Sequence, residues 1–212
     1  MRRLSGITCV RIVSFFAFFI LMNGASSVYA ENSEWKLERD KEGIVVYTRD
    51  VADSPIKEFK AITHVKIPFD QMIAFYEDDS KFCNWMDRCR KASQLEQLSP
   101  VKWNLYLHLN FPWPVNDRDV VILRIKEQDE LTKAITYTLH EVEGSYPLQN
   151  DMIRMPYLRG IWRFTPLEDG RVEIHFQQHV DAGGLVPKWL SNRLVVQVPF
   201  HTLQNFKKML RV

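Results

Sequence analysis

Residues 171–210 read RVEIHFQQHVDAGGLVPKWLSNRLVVQVPFHTLQNFKKML, and their change of period decides the fold. From Arg171 to Asp181 the chain alternates: Val172, Ile174, Phe176 and Val180 fall on one face, and Arg171, Glu173, His175, Gln177, His179 and Asp181 on the other. That is a strand dry on one side and wet on the other. Gly183 and Gly184 break the pattern, and a helix is predicted from about Pro187 to Leu210, with Pro187 suited to its first turn. Trp189, Leu190, Leu194, Val195, Val196, Val198, Phe200, Leu203, Phe206, Met209 and Leu210 give this helix so broad an apolar surface that most of it must be covered. Pro199 predicts a kink within it, because proline removes one backbone bond and crowds the preceding turn. A wide-faced helix arriving after strands is predicted to lie across the concave dry face of their sheet.

The upstream sequence supplies that sheet. Trp103, Leu105, Leu107 and Leu109 alternate with polar neighbours, as do Ile135, Tyr137 and Leu139. Strands are predicted at about 44–49, 56–66, 89–98, 102–111, 119–126, 132–142, 158–165 and 171–181, with Asp169-Gly170 as the hairpin between the last two. A helix is predicted after Pro68, where Phe69, Met72, Ile73 and Tyr76 recur at helical spacing, fading near Asp78. The class implied is α+β, a mostly antiparallel sheet with helices at two points.

Residues 1–30 read as an address. Arg2 and Arg3 precede an eleven-residue apolar run, Ile12 to Met22, too short to span a bilayer and of the length of a signal-peptide core. Val28-Tyr29-Ala30 then suits signal peptidase, so cleavage is predicted after Ala30, leaving residues 31–212 as one exported domain, periplasmic or secreted. Residues 1–30 carry Arg2, Arg3 and Arg11 and no acid, so 28 basic against 26 acidic residues become 25 against 26 in the mature chain. A chain so nearly neutral offers no polycationic face for a phosphate backbone, which argues against nucleic acid as a partner. Cys83 and Cys89 remain after cleavage. On a continuous helix, six residues at about 1.5 Å rise would hold them about 9 Å apart, too far to bond. A disulfide requires the chain to leave the helix between them, and the alternative is two separate thiols; the spacing leaves both open.

Two stretches resemble the START lipid-transfer domains. Phe111-Pro112-Trp113-Pro114-Val115-Asn116-Asp117-Arg118-Asp119-Val120-Val121 is similar to the family's proline-containing loop running into an Arg-Asp strand, and Gly184-Leu185-Val186-Pro187-Lys188-Trp189-Leu190-Ser191-Asn192 to the approach to its last helix. Weaker similarity covers Trp35 to Trp85. The resemblance implies a helix-grip fold, a curved antiparallel sheet (START/Bet v 1-like) wrapped around a long C-terminal helix. It also implies a monomer that binds a lipid or sterol-like molecule in an internal cavity, touches membranes transiently, needs no cofactor and is not an enzyme. Arg118 is then the candidate for the polar end of the ligand, and Trp103, Leu105, Leu107, Tyr137, Leu139, Phe176, Leu190, Leu194 and Val198 are the candidate cavity walls. One departure concerns that polar end: where sterol-carrying members place an acid to pair with the matching arginine, this chain has Lys91, with Glu96 as the alternative acid. Other partners considered for Arg118 are Asp117 and Asp119. Rim loops at 126–131 and 144–151 are candidate gates, and Trp189 a candidate membrane contact.

Rival readings are an enzyme of the same fold acting on a hydrophobic substrate, and a sensor that never releases its lipid. An enzyme needs an acid or base inside the pocket, whereas alternation assigns Tyr106, His108 and Glu141 to the opposite face. His140-Glu141 lacks the second histidine of a zinc-protease helix, and His175 and His179 share the wet face of their strand, so no metal site is predicted. No Gly-x-Ser-x-Gly elbow or phosphate loop is present.

Overall fold

The structure, a computed structural model, describes residues 33–144 and 146–210; the expected signal segment and its cleavage site lie outside the described residues. Ten strands form one sheet: β1 (Lys36–Lys41), β2 (Ile44–Val51), β3 (Ser54–Val65), β4 (Cys89–Ser99), β5 (Lys102–Leu109), β6 (Asp117–Gln128), β7 (Ile135–Glu141), β8 (Met152–Arg154), β9 (Tyr157–Pro166) and β10 (Val172–Asp181). Their order is β1-β2-β3-β10-β9-β7-β6-β5-β4, antiparallel throughout, with β8 added parallel to β6. Among the described residues three α-helices accompany the sheet, α1 (Phe69–Glu77), α2 (Phe82–Trp85) and α3 (Lys188–Met209), with a 3-10 turn at Asp79–Lys81. The α+β class and the antiparallel sheet about a long last helix are as the alternation predicts.

Register sets the inner face. Val172, Ile174 and Phe176 of β10 stand opposite Val65, Thr63 and Ala61 of β3 and opposite Pro166, Phe164 and Trp162 of β9. All of these inward positions but the half-buried Val65 and Pro166 are buried, and α3 adds Leu203 and Phe206 to the same core, Phe206 meeting Trp162 and Phe164. Helix α3 runs on through Pro199, which is itself buried. Strands β1 and β8 escape the alternation reading: β1 (Lys-Leu-Glu-Arg-Asp-Lys) is almost wholly exposed, and β8 is three residues long.

Aromatic rings gather at one end of this interior. Trp162 stacks on Phe176 with centroids 4.0 Å apart, Tyr76 meets Tyr137 at 4.5 Å, and Trp85 meets Phe206 edge-on at 5.0 Å. Each such pair adds about 0.5–1.5 kcal/mol beyond the area it buries. Above them Arg124, 1% exposed, donates through Nη2 to both Asp79 oxygens (2.7 and 2.9 Å) and lies 4.5 Å from the Trp103 ring centroid. Tyr137 donates to Glu77 Oε1 at 2.7 Å, and Lys126 Nζ reaches the same oxygen at 2.8 Å. This end of the grip is filled and locked by charge.

Removing Asp79 leaves the Arg124 guanidinium buried and uncompensated. Asp79→Ala is expected to lower the unfolding free energy by roughly 3 kcal/mol in urea titrations. The double variant Asp79→Ala with Arg124→Met should lose less than Asp79→Ala alone, and a larger loss would refute this account of the pair.

Candidate functional site

At the other end the interior is hollow. A cavity of about 470 Å3 lies between the ends of β3, β5, β9 and β10, the segment Met86–Arg88 and the first half of α3. Pockets that bury drug-sized ligands run from about 300 to 1,000 Å3. Its walls are aliphatic where the opposite end is aromatic: Leu107, Leu109, Met155, Leu158 and Val180 from the sheet side, and Leu194, Val195 and Val198 from α3, with Phe59 and Phe111 as its two rings. Phe59 packs edge-on against Phe176 at 4.9 Å, so the aromatic cluster forms the floor of the hollow.

Of the wall residues predicted from sequence, Leu107, Leu194 and Val198 line the cavity. Trp103, Leu105, Tyr137, Leu139, Phe176 and Leu190 do not; they are buried, all but Leu190 in the packed cluster. Alternation identifies the dry face of a strand, but not where along it the interior stops being filled. For Tyr137 the outcome is chemical as well: burial, with the Glu77 carboxylate it bonds, pushes its phenol far above the ordinary range.

Arg118 lies behind the wall. It is fully buried, yet it does not line the cavity. Asp117, Asp119 and Glu96 give it no hydrogen bond, and of these Asp117 acts on it through space. Nε donates to the Ala182 carbonyl at 3.1 Å, Nη2 to that of Gly183 at 2.9 Å and Nη1 to that of Asn116, while the guanidinium carbon lies 4.6 Å from the centroid of Phe111. Asp119 belongs to Arg154, through Nε to Oδ1 and Nη2 to Oδ2, each 2.9 Å. Asp117 receives the Phe111 amide and the Asn110 side chain at 3.0 Å each and meets His108 Nε2 at 2.7 Å. Burial raises the Asp117 carboxyl, but those bonds outweigh it and leave the group below the usual carboxylate range. Arg118 therefore works one layer back, fixing Phe111 and Ala182–Gly184, which are themselves wall.

Gly183 and Gly184 have φ of 66° and 62°, and a Cβ on either would come within 2.9 Å of Pro156 or 2.8 Å of Ile153. This corner admits glycine because β8 and the residues after it press against it. The outer face of β5 and β6 is covered too: Tyr106 meets Tyr146 with tilted rings and centroids 4.2 Å apart, and Arg154 donates to the carbonyls of Tyr146 and Pro147. The candidate gates at 126–131 and 144–151 are both off the cavity. His108 and Glu141 lie outside it as well, Glu141 taking the Leu158 amide at 3.0 Å.

The segment Met86–Arg88 was not anticipated as wall. Helix α2 stops at Trp85, Met86 is extended, and Arg88 takes φ of 64°, so the chain leaves the helix and Cys83 and Cys89 are joined as a disulfide with Cα atoms 4.8 Å apart. The Asp87 amide donates to Thr202 Oγ1 at 3.1 Å, tying the loop to α3. Asp87 and Arg88 both line the cavity, and each has a buried side-chain atom, Oδ2 and Nε, without a hydrogen-bond partner. Two charged residues between two cysteines are the available signal. Next to the cavity in the chain, three large apolar side chains are exposed: Trp113, Leu185 and Trp189, at 92%, 97% and 65%.

Comparison with known proteins places this geometry. A model of the START domain matches residues 21–211. An uncharacterized protein of Pseudomonas aeruginosa is 32% identical over 175 residues, 82% of this chain and 85% of that protein. The crystal structure of the STAR-related lipid transfer protein from Xanthomonas axonopodis superposes with a TM-score of 0.77 at 34% identity, covering 84% of this chain and 99% of that one. Human StAR-related lipid transfer protein 5 superposes with a TM-score of 0.76 at 15% identity over 84% of this chain and 86% of that one, a likeness of fold alone.

Since Arg118 ties the β10–α3 corner to β6, Arg118→Met leaves the Ala182 and Gly183 carbonyls without their donor. Stability is expected to fall by roughly 3 kcal/mol in denaturant unfolding. Amides of residues 183–190 should exchange hydrogen faster, and unchanged exchange there would refute the clamp.

Proposed function

The chain belongs to the START domain family, and from that premise we propose that it holds one hydrophobic molecule in the cavity beneath α3 and carries it between membrane surfaces as a monomer, without chemistry. The observation that carries this reading is the aliphatic hollow of about 470 Å3 with exposed Trp113, Leu185 and Trp189 beside it. Each methylene moved from water into such a space gains about 0.8 kcal/mol, and almost nothing relative to a bilayer, which is as apolar. Exchange with a membrane is then near thermoneutral and needs no energy source. Tryptophan suits the interfacial layer, with an apolar body and a polar N–H, which supports an approach to the bilayer by the hollow end of the protein.

We also propose export, with residues 1–30 as a signal peptide and residues 31–212 as the working domain in the periplasm or outside the cell. The Cys83–Cys89 bond suits an oxidising compartment.

Native mass spectrometry of the purified protein is expected to show one co-purified lipid. Val198→Trp, which fills the cavity from α3, should abolish that lipid while leaving the circular dichroism spectrum unchanged; a retained lipid would refute the site. In transfer between labelled vesicles, Trp113→Ala with Trp189→Ala should slow exchange about tenfold at unchanged lipid occupancy. Occupancy without transfer in the unaltered protein would favour a sensor.

A further inference from the structure

We propose that the Cys83–Cys89 bond is a redox control on ligand retention: closed, it holds a strap against the last helix, and its reduction by a dithiol slackens the strap and lets the bound molecule leave. This rests on reading the cavity as the ligand site. The strap is residues 86–88, which run from α2 to the first residue of β4 and line the hollow. It is fastened to α3. The Asp87 amide donates to the fully buried Thr202 hydroxyl at 3.1 Å, that hydroxyl donates to Met86 Sδ at 3.6 Å, and His201 Nδ1 stands 3.7 Å from Asp87 Oδ2.

The disulfide enforces a conformation that the strap itself favours weakly. Arg88 is in the left-handed region at φ 64°, a costly place for a residue with a Cβ. Asp87 Oδ2 and Arg88 Nε are buried without a hydrogen bond and meet only as an ion pair at 3.8 Å. The Asn110 amide donates to the Arg88 carbonyl at 2.8 Å, and the Cys89 amide to that of Met86 at 3.3 Å. The two cysteines stand in unequal surroundings. Cys83 belongs to α2, whose Phe82 and Trp85 are buried in the aromatic cluster, so that end stays put when the bond opens. Cys89 begins β4, the last strand of the sheet, opposite the wall residue Leu109, and the ladder to β5 slips register directly after it. Reduction therefore frees the wall end of the strap and leaves the packed end in place.

Neither cysteine is fully buried, as attack by a thiolate requires. One thiolate of the dithiol attacks a sulfur of the pair, the S–S bond breaks to a mixed disulfide, and the second thiol of the reductant displaces the remaining cysteine. Two electrons and two protons pass from the dithiol to the protein, which ends with two thiols while the reductant ends as a disulfide. In an oxidising compartment the closed form is the resting one.

The test loads the purified oxidised protein with the fluorescent probe N-phenyl-1-naphthylamine and follows its release into empty phosphatidylcholine vesicles, with and without dithiothreitol. Reduction is expected to expose two further thiols per chain, to speed release about tenfold and to leave the far-ultraviolet circular dichroism unchanged. Reoxidation should restore the slow rate, and Cys83→Ser with Cys89→Ser should release at the fast rate whether or not dithiothreitol is present. Equal release from the oxidised and reduced protein, a bond that dithiothreitol does not open, or loss of the fold on reduction each overturns the switch while the cavity reading stands. Failure of the probe to load, or equal loading of Val198→Trp, overturns the cavity reading and the switch with it. Should the double serine variant not fold, reduction and reoxidation of the unaltered protein still decide.

Discussion

The hollow depends on one buried guanidinium. Arg118 sits where β6 starts, and its bonds to the carbonyls of Ala182 and Gly183 hold the corner through which β10 turns into α3. No carboxylate bonds to that charge, and Asp117 acts on it only through space. It is satisfied by backbone dipoles and by the face of Phe111, a set of partners that exists only when the corner, the Phe111 loop and β6 are assembled together. The helix that closes the grip is therefore placed by its preceding corner as much as by its apolar surface. The consequence for the cavity is direct: α3 is held at one end by Arg118 and at the other by the aromatic cluster, and the space between is not required to collapse.

The contrast between the two ends follows from side-chain shape. Rings from Tyr76, Trp85, Trp162 and Phe206 interlock and leave no gap, while Leu107, Leu158, Val180 and Val198 are too short to meet across the same curvature. Aliphatic walls also tolerate a partner whose shape varies, whereas interlocked rings accept only one arrangement.

Alternation and helical spacing carried the architecture well. The last strand, the two-glycine break and the wide-faced helix lie close to where their periods place them, and the inward residues of β5, β7 and β10 are those that alternate. What sequence period cannot carry is distance along a strand from a filled end to an empty one, and so it groups Tyr137 and Phe176 with Leu107. Arg118 was rightly read as buried, but spacing says nothing about carbonyls contributed from more than sixty residues downstream, and these, not an acid, became its partners. Strand β8 shows the same limit: three residues have no period, yet they pair with the start of β6 and press the Gly183–Gly184 corner into shape. The wall residues Asp87 and Arg88 were hidden by a local event, a helix ending early so that two cysteines could meet.

The layer outside β5 and β6 gives the hollow two unequal sides. Tyr146 on Tyr106 and Arg154 on Asp119 back the β5–β6 flank, so that flank is two layers thick and bonded across. The first turns of α3 have no such backing: Leu185, Pro187, Lys188 and Trp189 are exposed, and Pro187 caps the helix with its carbonyl alone. Compliance in a folded chain concentrates where tertiary bonds are fewest. The container is thick on the side of the sheet and thin on the side of the helix, where the Arg118 clamp and the buried Leu190 and Leu194 hold the first turns of α3.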